Sequence, residues 1–187
     1  AFGNTVPTSF LRLVPHQEAP TAICWGDRNR SVLVRVPLGW QNIDDSMFRD
    51  ANPAEPPIDE LPNDSQTVEL RSPDGSAAVH LLLAGIAVAA RIGLTEPGMA
   101  DYARERKVDG DASQTPDLDQ LPGSCFEAAG RLLTQREDYE AKGVFPAGLI
   151  DSWASHLVAL GDMHLRDDLA DSRISVEELV ERYFHIG

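Results

Sequence analysis

The hydrophobic positions of the first seventy residues fall in short β-branched runs without helical spacing. Residues 21–26 form one apolar run, and residues 31–36 form a second run that is rich in valine, so both are predicted to be strands. The polar residues 27–30 between them are typical of a turn. We therefore expect the two strands to pair as a hairpin.

A third strand is predicted at residues 67–71. Side chains alternate between the two faces of a strand, so Glu69 and Arg71 are expected to point the same way. Before this strand, residues 41–66 hold four prolines and seven acidic side chains. A segment of this composition buries little apolar surface, which predicts an acidic surface loop.

Helical patterns dominate from residue 76 onward. Ser76 is placed to cap a helix over residues 77–90 that ends near Gly93. This helix is apolar nearly all round, which is typical of a buried helix. The segment that follows is predicted to be mostly loop, with a short helix around residues 99–107.

Capping residues and apolar spacing define the C-terminal helices. Ser124 and Glu127 match a capping box, which predicts a helix that ends near Gly143, and Pro146 can open the next one. The predicted buried stripe of that next helix is Leu149, Ile150, Trp153, Leu157 and Leu160. Ser175 is predicted to start the final helix. Its expected packing residues are Val176, Leu179, Val180, Tyr183 and Phe184.

These elements predict an α+β fold for residues 1–187, in which a curved antiparallel sheet is backed by helices. The length is sufficient for a single domain with a sizeable core. No apolar run reaches membrane-spanning length, and the basic-then-apolar order of a signal peptide is not seen, so we expect no membrane partner.

The net charge of the chain and its arginine content indicate which classes of ligand it can bind. The net charge is −14, and an acidic chain repels the phosphate backbone, so a nucleic-acid role is not expected. Of the 16 basic residues 14 are arginine, and every basic residue up to position 75 is arginine. Guanidinium grips carboxylate and phosphate with paired hydrogen bonds, so this set indicates either a small-anion site or ordinary salt bridges.

The cysteines and histidines carry little functional signal. Cys24 and Cys125 lie far apart and outside any metal-ligand spacing, which predicts free thiols and a reducing, cytoplasmic location. His156 and His164 are eight residues apart without a third partner, so packing or surface roles are favoured over metal binding. P-loop, GxGxxG, HExxH and GxSxG motifs are not found in the sequence.

Short motifs in the first half of the chain give a more specific signal. They are RLVP at 12–15, EAP at 18–20, NRS at 29–31, RVP at 35–37 and ELRSPD at 69–74. In this order the set resembles the glutamine synthetase family, and the first four also have its spacing. The resemblance continues less densely through 123–124, 127–128 and 143–145, so it covers most of the chain as a C-terminal part of the catalytic domain.

The resemblance implies a role for each matching residue. Arg12 matches the arginine that binds the glutamate substrate. Glu18 matches the flap glutamate that closes the site and helps to deprotonate ammonium. Arg30 and Arg35 match arginines on the nucleotide phosphates and the transferring phosphoryl group. Arg71 matches the arginine that stabilises charge on the phosphorylated intermediate.

The resemblance also implies cofactors and partners. Glu69 matches a ligand of the metal between nucleotide and substrate, which implies Mg²⁺ or Mn²⁺ with ATP, glutamate and ammonia as substrates. The family's other metal ligands and its N-terminal β domain belong to upstream sequence. We therefore expect this chain to need the rest of its subunit and the neighbouring subunits of a ring homo-oligomer, and to be inactive alone.

Some positions depart from the family pattern. His16 and Gln17 replace a Gly-Tyr-like pair before Glu18, Ser72 replaces an aromatic residue, and residues 41–66 form a longer connection than usual. Two alternatives therefore stay open. One is a γ-glutamyl ligase that uses an organic amine, and the other is a non-catalytic paralogue, although a scaffold has no need of the six matching side chains.

Overall fold

A computed structural model describes residues 1–14, 19–37, 50–54 and 67–185 of the protein. The strands are β1 (Trp25–Asp27), β2 (Val34–Val36) and β3 (Glu69–Leu70). The helices used below are α1 (Pro7–Leu11), α2 (Val79–Thr95), α3 (Met99–Glu105), α4 (Cys125–Thr134), α5 (Arg136–Glu140), α6 (Leu149–Ala159), α7 (Leu165–Ala170) and α8 (Val176–Tyr183). This mixture agrees with the α+β prediction.

The three strands form one small mixed sheet in the order β1-β2-β3. β1 and β2 are parallel, whereas β2 and β3 are antiparallel, so the predicted hairpin and purely antiparallel sheet were wrong. The loop between β1 and β2 is held by its own turn and by a distant segment. Asn29 Oδ1 accepts hydrogen bonds from the Ser31 backbone at 2.9 Å and from its hydroxyl at 2.8 Å. Asn29 Nδ2 donates to the carbonyl oxygens of Val108 and Gly110.

Helix α2 begins later than predicted and is far less buried. Its N-cap is Ala78, because the Ser76 hydroxyl is engaged elsewhere, and the helix continues past Gly93 to Thr95. Val88 is its buried residue, whereas Leu83 is 58% exposed and Leu94 is 87% exposed. The prediction of a fully buried helix was therefore wrong for this chain. One side of α2 packs against the core through Val88 and its neighbours, whereas Leu83, Ile86 and Leu94 stay exposed among the described residues.

The central core forms where α4 packs against α6. Ser124 caps α4 as predicted, but Glu127 reaches the backbone N–H of Gly123 rather than that of Ser124. The helix ends at Thr134 instead of near Gly143, and α6 begins after Gly148, whose positive φ of 84° ends the preceding turn. The predicted stripe of α6 is confirmed. Its buried members are Ile150 and Leu157, and its partly buried members are Leu149, Trp153 and Leu160.

A second, smaller core lies under the sheet. Its buried side chains are Ala22, Cys24, Val32, Val108 and Ala112. Cys24 and Cys125 are both buried free thiols, as expected. Burial raises the pKa of each thiol, with Asp162 contributing further at Cys125, so both stay protonated and serve as packing groups.

The C-terminal segment contains one helix that the sequence reasoning missed, α7 (Leu165–Ala170). Helix α8 starts at the predicted place, with a capping box between Ser175 and Glu178. Its packing was predicted incorrectly in part, because Leu179 is buried but Val176, Val180 and Phe184 are more than half exposed. Among the described residues, no single helix is long and apolar enough to cross a membrane, although α2 and α3 pass that test as a bent pair.

Candidate functional site

The first part of the candidate site is a charge cluster on β2 and β3, formed by Arg35, Glu69 and Arg71. Arg35 and Glu69 are directly opposite in the antiparallel register. A guanidinium nitrogen of Arg35 lies 2.6 Å from Glu69 Oε2, and Arg71 Nε lies 3.9 Å from Glu69 Oε1. The prediction that Glu69 and Arg71 share a face is confirmed. Within the described residues, the carboxylate of Glu69 thus lies between two guanidinium groups.

Arg71 is the most firmly held member of the charge cluster. Its backbone N–H donates to Leu33 O at 2.9 Å, which continues the β2–β3 pairing by one residue. Its guanidinium donates to the carbonyl oxygens of Arg30 and Val32, and the side chain is only 12% exposed. These carbonyl acceptors and the carboxylate of Glu69 together fix the orientation of the Arg71 guanidinium.

Arg30 lies on the loop between β1 and β2, and its side chain is exposed. The loop is fastened on both sides of Arg30. Asn29 donates to Val108 O at 3.1 Å and to Gly110 O at 2.6 Å, and the Ser31 hydroxyl accepts from Ala112 N at 2.9 Å. The backbone carbonyl of Arg30, which accepts a hydrogen bond from Arg71, therefore lies in a loop whose position is fixed by these contacts.

Arg12 reaches the same end of β3 from a different element. It follows the last residue of α1, and its guanidinium donates to the carbonyl of Ser72, the residue after Arg71. Its Nε lies 3.8 Å from Asp74 Oδ2, and the side chain remains 37% exposed. The structure thus brings Arg12 to the turn that follows the charge cluster.

Arg12 faces a polar cluster that the sequence did not predict, formed by Thr5, Ser9, Asp74 and Ser76. Asp74 Oδ1 accepts from the Ser76 backbone at 2.9 Å and from its hydroxyl at 2.7 Å. The Ser76 hydroxyl also accepts from Thr5 N at 3.0 Å and lies 3.1 Å from that of Ser9. Burial opposes ionisation, but these hydroxyls and Arg12 together hold the pKa of Asp74 below its usual 3.8. The signal for this cluster in the sequence is the Asp74-Gly75-Ser76 turn.

The arrangement suits anion binding. Arg35 and Arg71 lie along the short β2–β3 ladder and Arg12 reaches the residue that follows it, and each guanidinium is oriented by a carboxylate or a carbonyl. Guanidinium groups fixed in this way can stabilise carboxylate or phosphoryl oxygens without reorganising during a reaction. Composition alone could not separate this outcome from ordinary salt bridges. The structure shows the salt bridges, and these orient the guanidinium groups.

Comparison with known proteins decides the family. The model of the glutamine synthetase catalytic domain matches residues 1–157. The chain belongs to the glutamine synthetase family. Curated glutamine synthetases from Pyrococcus abyssi and Thermococcus kodakarensis are 33% and 31% identical to it over the whole chain. The Salmonella typhimurium glutamine synthetase is 28% identical over 82% of the chain.

The chain is much shorter than these glutamine synthetases. It spans 38% of the length of the two archaeal proteins and 28% of the Salmonella protein. The matched region lies within the catalytic domain, in agreement with the predicted C-terminal part.

Two features of the family's site are incomplete within the described residues. Glu18, the predicted flap residue, lies outside them. They also contain no group of three or more His, Cys, Asp or Glu side chains that could hold a metal ion. Glu69 offers one hard oxygen donor, and both of its oxygens face arginines. Its donor set does not fit a metal by itself.

Proposed function

We propose that this chain supplies one wall of the active site of a glutamate–ammonia ligase, which makes glutamine through γ-glutamyl phosphate. The observation that carries this proposal is the charge cluster, in which Glu69 of β3 pairs with Arg35 of β2 and with Arg71, the residue that follows β3. Membership of the glutamine synthetase family supports the reaction, and the geometry supports the choice of residues.

The proposed chemistry explains why arginines are needed. A carboxylate is a poor electrophile, so the ligase first transfers the γ-phosphoryl group of ATP to the glutamate side chain. The resulting acyl phosphate is then attacked by ammonia, and phosphate leaves. Negative charge gathers on the phosphoryl oxygens during transfer, and fixed guanidinium groups stabilise it electrostatically.

Each arginine has a distinct proposed task. Arg30 and Arg35 contact the phosphates of ATP and the moving phosphoryl group. Arg71 stabilises the charge of the phosphorylated intermediate, a task that suits its fixed and largely buried guanidinium. Arg12 binds the glutamate substrate with its exposed portion. Glu18, on the family's flap segment, closes the site and accepts a proton from ammonium.

A divalent metal, Mg²⁺ or Mn²⁺, is implied by the family, and it would supply charge neutralisation between nucleotide and substrate. Glu69 is the proposed ligand from this chain. The described residues do not complete a metal site. The remaining ligands are proposed to come from other parts of the subunit, within a cytoplasmic ring of identical subunits.

The active-site assignment is tested in the complete subunit that carries this chain. We expect glutamine formation that depends on ATP, glutamate and ammonium, measured by product mass and phosphate release. Arg71→Lys should lower turnover on the order of 100- to 1000-fold, because lysine cannot reproduce the fixed fork. The matched control is Arg104→Lys on α3, where Arg104 is 73% exposed and pairs with Asp101. Equal activity of the two variants would overturn the assignment.

The same assay separates the alternatives. Turnover with an organic amine in place of ammonium would identify a γ-glutamyl ligase of different amine specificity. No turnover with any amine by a folded, assembled subunit would identify a non-catalytic paralogue. Either result would leave the family membership intact and change only the reaction.

A further inference from the structure

We infer that Asp74 is a positioning residue for Arg12, and that it sets the affinity of the active site for the glutamate substrate. The inference rests on the proposed function, in which Arg12 binds that substrate. It concerns a residue that does not itself reach the substrate but determines how the arginine is presented.

The first observation is how few groups orient the Arg12 side chain. One terminal nitrogen donates to Ser72 O, and within the described residues the buried Nε has no hydrogen-bond partner. The carboxylate that Nε faces is Asp74, 3.8 Å away. Asp74 thus restrains the Nε side of the Arg12 guanidinium electrostatically, while 37% of the Arg12 side chain stays exposed.

The second observation is that Asp74 itself cannot move freely. Its backbone N–H donates to Gly3 O at 3.0 Å, and its Oδ1 is held by both donors of Ser76. Only Oδ2 remains to face Arg12. A carboxylate fixed on one oxygen presents the other at a defined position, which is the requirement for orienting a long, flexible side chain.

The third observation is that the same cluster joins Arg12 to the strand that carries Arg71. Asn4 donates to Ser72 O at 2.8 Å, so this carbonyl accepts from both Asn4 and Arg12. Thr5 Oγ1 donates to Ser76 O at 2.6 Å. The N-terminal segment is thereby tied to residues 72–76, and the position of Arg12 relative to Arg71 is set by these contacts.

The variant Asp74→Asn isolates the positioning role. The carboxamide oxygen can replace Oδ1 as acceptor for Ser76, so the turn is preserved, but the charge that faces Arg12 is lost. In the complete subunit we expect the KM for glutamate to rise about two- to fivefold, the range of a partly exposed ion pair. The KM for ATP should stay unchanged, because Arg35 pairs with Glu69 and not with the polar cluster around Asp74. Asp101→Asn, an exposed carboxylate on α3, is the matched control and should change neither constant.

A double-variant cycle distinguishes positioning from a general structural defect. If Asp74 acts through Arg12, the effect of Asp74→Asn on the glutamate KM should vanish when Arg12 is already lysine. An undiminished effect in that background, or parallel rises in both KM values, would overturn the inference.

The proposed function fails by a different result. If Arg12→Lys leaves the glutamate KM unchanged, Arg12 is not a substrate-binding residue and the assignment itself is wrong. If Arg12→Lys raises that KM and Asp74→Asn does not, only the positioning role is refuted. Thermal unfolding of each variant in the same preparation reports whether the fold is intact.

Discussion

Replacing Asp162 by alanine is the perturbation whose cost the structure defines most directly. The Asp162 side chain is 5% exposed and accepts the backbone N–H groups of Cys125 at 2.6 Å and Phe126 at 3.1 Å. These donors lie in the first turn of α4, where backbone N–H groups have no partner within the helix. Asp162 therefore caps from outside the helix that packs against α6 in the central core.

The expected cost follows from burial. A hydrogen bond to a charged acceptor contributes about 1.5–3 kcal/mol, and a buried donor left unpaired loses its hydration as well. Cys125 is fully buried, so its N–H cannot turn to water after truncation. We expect Asp162→Ala to lower the free energy of unfolding by about 3 kcal/mol. Asp162→Asn should cost about 1–2 kcal/mol, because the carboxamide can still accept one of the two bonds.

The assay is urea unfolding of the 187-residue chain followed by far-ultraviolet circular dichroism. With a slope near 2 kcal/mol per molar urea, Asp162→Ala should lower the midpoint by about 1.5 M. Asp167→Ala is the matched control, since Asp167 is 76% exposed, and its effect should stay within about 0.5 kcal/mol. If the two alanine variants unfold at the same midpoint, the capping role deduced from these contacts is wrong.

Four further outcomes are expected. Leu157→Ala, at a fully buried position in α6, should cost about 2–5 kcal/mol, whereas Leu94→Ala at an 87% exposed position should cost less than about 0.5 kcal/mol in the same urea experiment. Leu83→Glu should reduce concentration-dependent self-association in sedimentation velocity, because it places a charge on the exposed apolar face of α2. The pKa of Asp74 is lower in the folded than in the unfolded chain, so its ionised carboxylate stabilises the fold at pH values above the unfolded-state pKa. This stabilisation is lost as the pH falls through the folded-state pKa. Below about pH 4, the free energy of unfolding should therefore fall less steeply with pH in Asp74→Asn than in the wild type. The 187-residue chain alone should show no ligase turnover, and calorimetric titration with ATP–Mg²⁺ measures whether it retains nucleotide binding.

Each of these expectations has a contrary result. Equal losses of unfolding free energy in Leu157→Ala and Leu94→Ala would contradict the assignment of the core. Identical sedimentation of wild type and Leu83→Glu would contradict self-association through the exposed apolar residues of α2. Acid unfolding that is unchanged in Asp74→Asn would mean that Asp74 is not selectively stabilised in its ionised form. Measurable turnover by the chain alone would refute its dependence on the rest of the subunit.

Local chemistry explains the elements that the sequence predicted well. The caps at Ser124 and Ser175 act over three residues, and the apolar stripe of α6 depends only on helical spacing. The shared face of Glu69 and Arg71 follows from strand alternation. These features were available from the sequence because the interacting groups lie close together along the chain.

The failures occurred where distant groups compete for the same atoms. β1 and β2 are parallel instead of a hairpin, and the loop between them is bonded through Asn29 to the carbonyls of Val108 and Gly110. Ser76 was expected to cap α2, but Asp74 and Thr5 engage its hydroxyl. The partners 71 and 79 residues away could not be inferred from local propensity.

The amino-acid sequence by itself determined the residue types, the family and the strand position that puts Glu69 beside Arg71, because these depend on identity and spacing. The tertiary structure decided which carbonyls orient Arg71, how Asp74 faces Arg12, and which face of α2 remains uncovered. Those outcomes depend on contacts between segments far apart in the chain. Their geometry is set only when the competing hydrogen bonds and the packing of the two cores are satisfied together.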